Sequence, residues 1–248
     1  DHGRAPARRH RLSRPRKLTT MSATLAIDVH FDLICPWCLI GRRHLASALA
    51  QLRQRRPDVD VVTDWRSHIL LPDTPPQGVP YQAFYERRLG SAEAVAARRA
   101  QVREAGRAAG IEFAFERIAL MPSTLAAHQF IACARGLGVG DERRLEGFID
   151  RLFTAYFLEG RDIGDAAVLG EIAVHAGFPE AAIRACVEAP DSRRRFFEKL
   201  AANAGESVSG VPFFVFANRF ALSGAQPPAV LLAAMEQALH PQAAAAAL

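Results

Sequence analysis

No stretch of this 248-residue chain approaches the roughly 20 consecutive apolar residues of a membrane-crossing helix, although half of its residues are hydrophobic. That apolar content, in a chain of this length, buries a sizeable core, as one large domain or as a domain carrying an insertion. There is no internal repeat. Net charge is scarce outside the first 20 residues. Those carry Arg4, Arg8, Arg9, Arg11, Arg14, Arg16 and Lys17 against Asp1, a net +6, which leaves −1 for the rest of a chain whose total is +5. The basicity belongs to an arm and not to the fold, so the bulk charge argues against a nucleic-acid surface. The arm has no apolar h-region, which argues against a secretory signal, and although Arg-rich and acid-poor like a transit peptide it has too few apolar residues for an amphipathic face. Met21 is read as the native start, with residues 1–20 as non-structural upstream sequence.

Cysteine is scarce as well: Cys35, Cys38, Cys133 and Cys186. A closed zinc site needs four ligands, usually in two clusters, and neither Cys133 nor Cys186 has a Cys or His at ligand spacing. No metal is therefore expected. Without a signal segment the expected compartment is cytoplasmic and reducing, where a single close pair is catalytic or metal-binding more often than structural. Cys133 and Cys186 fall on apolar helix faces and are expected to be inert core residues.

What the chain does have is Cys35-Pro36-Trp37-Cys38 at a strand-to-helix junction. Leu25, Ile27, Val29, Phe31 and Leu33 alternate, predicting a strand over 25–33. Pro36 suits a first helical position, where its missing N–H would be unpaired anyway. Leu45, Leu49 and Leu52 continue a helix to about Gln54. Val59, Val61, Thr63 and Trp65 alternate again, so the start of the fold reads as a βαβ unit with parallel strands. A Cys at a helix start meets unpaired N–H groups and the positive end of the macrodipole, which favour a thiolate, the nucleophile of disulfide exchange. A buried structural pair or half a metal site is the competing reading.

Residues 71–80 are irregular and Pro-rich and read as a connection. From about Tyr81 to Ala204 the periodicity is helical. Leu145, Phe148, Ile149, Leu152 and Tyr156 share a face behind Asp141 as N-cap, Asp165 caps a helix through Val174, Pro179 begins a short one, and Asp191 opens another through Leu200. Strand character returns at Val211–Phe216, and the Asn218-Arg219 turn leads to Phe220–Leu222. Pro227-Pro228 starts a last helix to Leu239. The order β-α-β, helical block, β-β-α places helices on a small mixed sheet, an α/β thioredoxin-like arrangement with a large inserted all-helical domain. The expected units are a disordered basic extension 1–24, a thioredoxin-like domain from 25–73 and 205–240, a helical insert 74–204 and a frayed tail 241–248.

Taken with that order, Asp32-Leu33-Ile34-Cys35-Pro36-Trp37-Cys38-Leu39-Ile40-Gly41, Ala127-His128, Ala155-Tyr156-Phe157-Leu158-Glu159-Gly160, Gly210-Val211-Pro212-Phe213-Phe214-Val215-Phe216 and Ser223-Gly224-Ala225-Gln226-Pro227 resemble the DsbA-family oxidoreductases. The similarity is to the FrnE-type branch, related to glutathione-dependent 2-hydroxychromene-2-carboxylate isomerases. It spans about residues 25–240. Relatives often carry an aromatic at the position of Leu39 and Asn at that of Ser123.

The resemblance implies a DsbA-like protein disulfide oxidoreductase or isomerase with Cys35 as attacking thiolate and Cys38 as resolving thiol. Pro36 and Trp37 then tune the thiolate, and Trp37 either offers an apolar docking face or packs the helix start. Val211-Pro212 is expected to face the dithiol with a cis bond and to present the Val211 backbone to an extended substrate; an ordinary edge-strand proline is the alternative. Asp32 either assists proton transfer from Cys38 or caps a turn. His44 reads as solvated and His128 as a hydrogen-bonded structural residue. No bound cofactor is expected beyond the redox-active disulfide, with glutathione as a candidate co-substrate. The expected partner is a thiol- or disulfide-containing protein or small molecule, with no nucleic acid or membrane, and a homodimer is among the assemblies the sequence allows. Two other functions compete: a glutathione-dependent isomerase or transferase, disfavoured because relatives of that type often replace the first Cys by Ser, and a non-enzymatic binding module.

Overall fold

The computed structural model describes residues 23–138, 140–204 and 208–240. The basic arm 1–20, the Met21 start and the tail 241–248 lie outside the described residues.

Strand β1 (Ala23–Phe31) leads into helix α1 (Pro36–Arg55) and returns as β2 (Val59–Ser67), parallel to β1 with Ile27 opposite Thr63. At the end of the chain, β5 (Phe213–Phe216) and β6 (Phe220–Ser223) form a hairpin, and β5 pairs antiparallel with β1. The sheet order is β2-β1-β5-β6. β1 is thus internal, and its last five residues are all buried. The alternation read from the sequence holds only at its start, because an internal strand covered on both faces loses its solvent side. Asp28 and His30 belong to the buried run, and Asp28 is paired with Arg66 at 2.8 Å. Leu33 is not in the strand: residues 32–34 turn, with Cys35 N–H donating to Asp32 O at 3.2 Å.

Helix α1 and the last helix α9 (Pro228–Leu239) pack together. Between β2 and β5 the chain forms α2 (Tyr81–Leu89), α3 (Ala92–Ala108), α4 (Leu125–Leu137), α5 (Glu142–Phe157), α6 (Ala166–His175), α7 (Glu180–Glu188) and α8 (Pro190–Ala204). Asp141 and Asp165 cap α5 and α6 as expected, accepting from Arg144 N and from Ala167 and Val168 N. A further helix opens near Asp191, as expected. The helix begins one residue earlier, at Pro190, and Asp191 lies in its first turn, paired with Arg194. The segment is not wholly helical: β3 (Val79–Pro80) pairs antiparallel with β4 (Leu120–Met121). Two-residue strands have no alternation for a sequence reading to detect.

The core is continuous from sheet to helices. Phe31 is its junction, meeting Trp65 of β2 edge-on at 5.5 Å, Phe153 of α5 at 6.1 Å and His128 of α4 at 5.3 Å. Arg42 of α1 is half-buried at the same junction. It donates to Asp150 Oδ1 at 3.2 Å and to Glu146 O at 2.7 Å, and its guanidinium lies 4.8 Å above the Trp65 ring.

One expectation is overturned. Cys133 and Cys186 are not separate inert thiols but a disulfide joining α4 to α7, with Cα atoms 5.8 Å apart, inside the usual range for the bond. Cys186 is half-buried at the wall of a cavity. The two residues lie 53 positions apart on different helices, so only the packing of α4 on α7 discloses the pair. Among the described residues no helix is long and apolar enough to cross a membrane, and no group of three or more His, Cys, Asp or Glu is placed to hold a metal ion.

Candidate active site

Cys35 sits at the N-cap of α1 in an extended conformation, with Pro36 in the first turn, and Cys38 N–H donates to Cys35 O at 3.0 Å. Both cysteines are free thiols and both are buried, Cys35 with 7% of its surface exposed and Cys38 with 2%. They differ in surroundings. Cys35 lines a cleft, whereas Cys38 points into the core. Burial pushes the Cys38 thiol well up from its ordinary value, and the hydrogen bond and charge of Cys35 push the same way.

The Val211–Pro212 bond is cis. Its loop faces the dithiol, and Cys35 Sγ–H donates to Val211 O at 3.5 Å. Three contacts hold the loop there. Gly224 N–H donates to Pro212 O at 2.8 Å, and Gln226 O lies 2.9 Å from His44 Nδ1 on α1. His44 is therefore half-buried and engaged with the loop, not simply solvated. The third contact is Gly41: a Cβ there would stand 2.9 Å from Pro212 Cγ and 3.2 Å from Phe214 Cζ. The Ser-Gly-Ala-Gln-Pro segment and Gly41, noticed in the sequence only as parts of motifs, brace the loop against α1.

Behind the dithiol, Asp32 is fully buried. Its carboxylate accepts from Leu70 N–H at 2.7 Å, and Oδ1 lies 3.2 Å from His128 Nε2. Its backbone carbonyl also accepts from Cys35 N–H in the turn before the dithiol. His128 is buried and hydrogen-bonded. His68 faces the same group: burial pulls its imidazole below the ordinary value, with the Asp32 charge opposing and His128 adding to the fall.

In front, a cavity of about 400 Å³ opens over Cys35, Pro36 and Trp37. Its walls are aromatic and come from α2: Tyr81, Phe84 and Tyr85. The Tyr81 and Tyr85 rings meet at 4.9 Å. Burial raises both hydroxyls above their ordinary value, and for Tyr85 the nearby Cys35 charge adds to the rise. Arg88, Arg98 and Arg99 line the same cavity. The Arg98 guanidinium lies 5.8 Å over Trp37 and that of Arg99 5.0 Å over Tyr81. The structure thus gathers Cys35, Cys38, Pro36, Trp37, Val211 and Pro212 around one sulfur. It adds Asp32 and His128 behind it and the α2–α3 wall in front. Sequence reasoning did not single out that wall, because Tyr and Arg on an amphipathic helix look like ordinary surface and core.

A free Cys-x-x-Cys pair at the first turn of α1, against a βαβ-ββα sheet and a cis X-Pro loop, defines a thioredoxin-type fold. Residues 26–236 match the family model of the DSBA-like thioredoxin domain, and the chain belongs to that family. A probable DsbA oxidoreductase from Streptomyces coelicolor, SCO1869, shares 26% identity over 86% of this chain and 89% of its own, with a TM-score of 0.76. The cytosolic disulfide reductase DsbM of Pseudomonas aeruginosa, solved with GSH, shares the fold at 18% identity, covering 86% and 98%, with a TM-score of 0.60. A 2-hydroxychromene-2-carboxylate isomerase does so at 16% identity, covering 86% and 95%, with a TM-score of 0.59. The uncharacterized protein YwbO of Bacillus subtilis (strain 168) is 24% identical over 195 residues, 77% of this chain and 86% of its own length.

Proposed function

We propose that the protein is a thiol–disulfide oxidoreductase in which Cys35 attacks and Cys38 resolves. The observation that carries this reading is the asymmetry of the pair: Cys35 opens on the cleft at the α1 N-terminus, while burial holds Cys38 as a neutral thiol. Charge at Cys35 meets the unpaired N–H groups of the first helical turn. Its thiolate attacks one sulfur of the substrate disulfide, forming a mixed disulfide and expelling the other sulfur as thiolate. Cys38 then loses its proton, with the buried Asp32 carboxylate, which acts on this thiol, placed to receive it, and attacks Cys35 Sγ. The substrate's second thiolate leaves, and the Cys35–Cys38 disulfide remains. Run in reverse, the same steps oxidise a dithiol.

The Val211 carbonyl faces the reacting sulfur, so an extended substrate segment can pair with that backbone, and Pro36, Trp37 and Pro212 complete the contact surface. Glutathione fits as co-substrate: the cleft combines an aromatic wall with arginines suited to its carboxylates, and the similar DsbM is described with GSH. A cytoplasmic setting, as for DsbM, belongs to the same proposal, as does the division into a thioredoxin-like domain (25–73, 205–240) and a helical insert (74–204).

The test is equilibration in glutathione redox buffers with thiol trapping. A reversible two-electron transition that maps to Cys35 and Cys38 supports the reading, and the lack of any transition at every poise would falsify it. The shared fold of the chromene isomerase and the aromatic cleft favour a second reading, a glutathione-dependent isomerase. That one requires turnover of a small aromatic substrate to survive in Cys35→Ser, since its chemistry does not need the dithiol.

A further inference from the structure

The Cys133–Cys186 disulfide lies apart from the dithiol, on a cavity of its own. About 350 Å³ open between β2, α4, α7 and α8, and both sulfur-bearing residues line the space. Cys133 is buried, whereas Cys186 is half-buried, so an incoming group meets Cys186 first. The cavity's charge is one-sided: Arg66, Arg135, Arg195 and Lys199 line it against Asp64 alone. Asp64 is already engaged by Arg135 and Arg66. Arg195 and Lys199 are exposed on α8.

Cys133 is placed to become a leaving group. Its Sγ lies 3.7 Å from Ser192 Oγ, and the hydroxyl donates in that contact because a disulfide sulfur can only accept. Ser192 is the third residue of the 15-residue helix α8. A thiolate released from Cys133 would therefore meet a hydroxyl donor, the positive end of a helix and nearby cations, the surroundings that stabilise thiolates.

We propose that Cys133–Cys186 is a second thiol-exchange site, at which a carboxylate-bearing thiol of low molecular weight attacks Cys186 Sγ. The attacking thiolate forms a new S–S bond to Cys186 as the Cys133–Cys186 bond breaks, and the electron pair leaves on Cys133 as thiolate. A second molecule of the same thiol then attacks the mixed disulfide, releasing the small disulfide and leaving Cys186 reduced. Two thiols are oxidised and one protein disulfide is reduced. The basic cavity selects for the anionic thiol, and the bond that opens is the one tying α4 to α7.

The test uses the full chain with Cys35→Ser and Cys38→Ser, in which Cys133–Cys186 is the remaining sulfur pair. Reduction of the native protein is followed with 3-mercaptopropionate, 2-mercaptoethanol and cysteamine. Each rate is divided by that thiol's rate with hydroxyethyl disulfide, and released thiol is trapped by alkylation for mass mapping. The expected result is a corrected rate about tenfold higher for the anionic than for the cationic thiol, the scale of electrostatic focusing in a charged cleft, with the adduct on Cys186 and the alkyl group on Cys133. Arg195→Gln with Lys199→Gln should erase the charge preference, and Ser192→Ala should slow all three thiols alike. The proposal is overturned if the disulfide opens only under denaturing conditions, if the adduct maps to Cys133, or if the three corrected rates agree in the native protein.

Discussion

Gly41 meets the ring of Pro212 with no side chain between them; a Cβ on Gly41 would stand 2.9 Å from Pro212 Cγ. That contact sets how closely the loop carrying Val211 approaches the dithiol, since Gly41 lies on the same α1 turns as Cys38. Gly41→Ala must push the loop away or strain the helix. We expect a loss of about 1–3 kcal/mol in stability and slower reduction of a peptide disulfide, with little change toward a small disulfide that needs no backbone pairing. Chemical denaturation and paired kinetics check this; equal slowing for both substrates would remove the loop from the explanation.

The two cysteines should fail differently. Cys35→Ser removes the attacking sulfur, and disulfide exchange falls to the uncatalysed rate. Cys38→Ser keeps the attack and loses the resolution, so one equivalent of mixed disulfide accumulates on Cys35. Intact-mass measurement after mixing with oxidised glutathione distinguishes them, and an adduct formed by Cys35→Ser but not by Cys38→Ser would reverse the roles.

Cys38 also carries a pH signature. Burial, then the hydrogen bond and charge of Cys35, raise its thiol above the ordinary value of 9.0. Above that pH the unfolded chain gives up this proton while the folded protein keeps it, so the folded state binds more protons and stability falls as pH rises. Below pH 9 both states are protonated and the effect vanishes. The reduced protein should lose up to about 1.4 kcal/mol per pH unit from this group above pH 9, relative to Cys38→Ser. Urea midpoints of both proteins at pH 7 and pH 10 measure the difference, and parallel losses would refute it.

The cleft arginines should sort substrates by charge. Arg88→Glu combined with Arg98→Glu is expected to slow reaction with oxidised glutathione about tenfold and to spare neutral hydroxyethyl disulfide. The salt dependence seen with glutathione should weaken in parallel. Equal effects on both disulfides would mean that the arginines only shape the cleft.

Arg42 ties α1 to α5 from a half-buried position, and desolvation pulls its guanidinium below the ordinary value while Asp150 and Glu146 oppose that. Arg42→Ala leaves Asp150 with Arg43 alone, takes the side-chain donor from the Glu146 carbonyl and opens space beside Trp65. A loss of about 1–3 kcal/mol is expected, read as a lower urea midpoint at unchanged slope.

The parts of the site legible in the sequence were those with local causes. A proline one residue past a Cys, followed by leucines at helical spacing, announces a helix start, and α1 begins at Pro36. Asp141 and Asp165 announced α5 and α6 for the same reason. What was not legible had non-local causes. Asp28 and His30 fall in the less apolar phase of β1, yet both are buried because the strand is covered on both faces.

By itself the sequence determined that two thiols stand at a helix start after a strand, that a mixed sheet encloses a long helical segment, and that a Val-Pro loop belongs with the dithiol. Each of these follows from signals spanning a few turns or strands, or from ordered motifs of a family. Only the tertiary structure decided which thiol is sealed in the core, that Asp32 meets His128 across 96 positions, that Gly41 admits the Pro212 ring, and that Cys133 pairs with Cys186. The physical reason is common to all four. Burial, ionisation and covalent pairing depend on which surfaces pack together, and helices that read as independent along the chain acquire those partners only when the core closes.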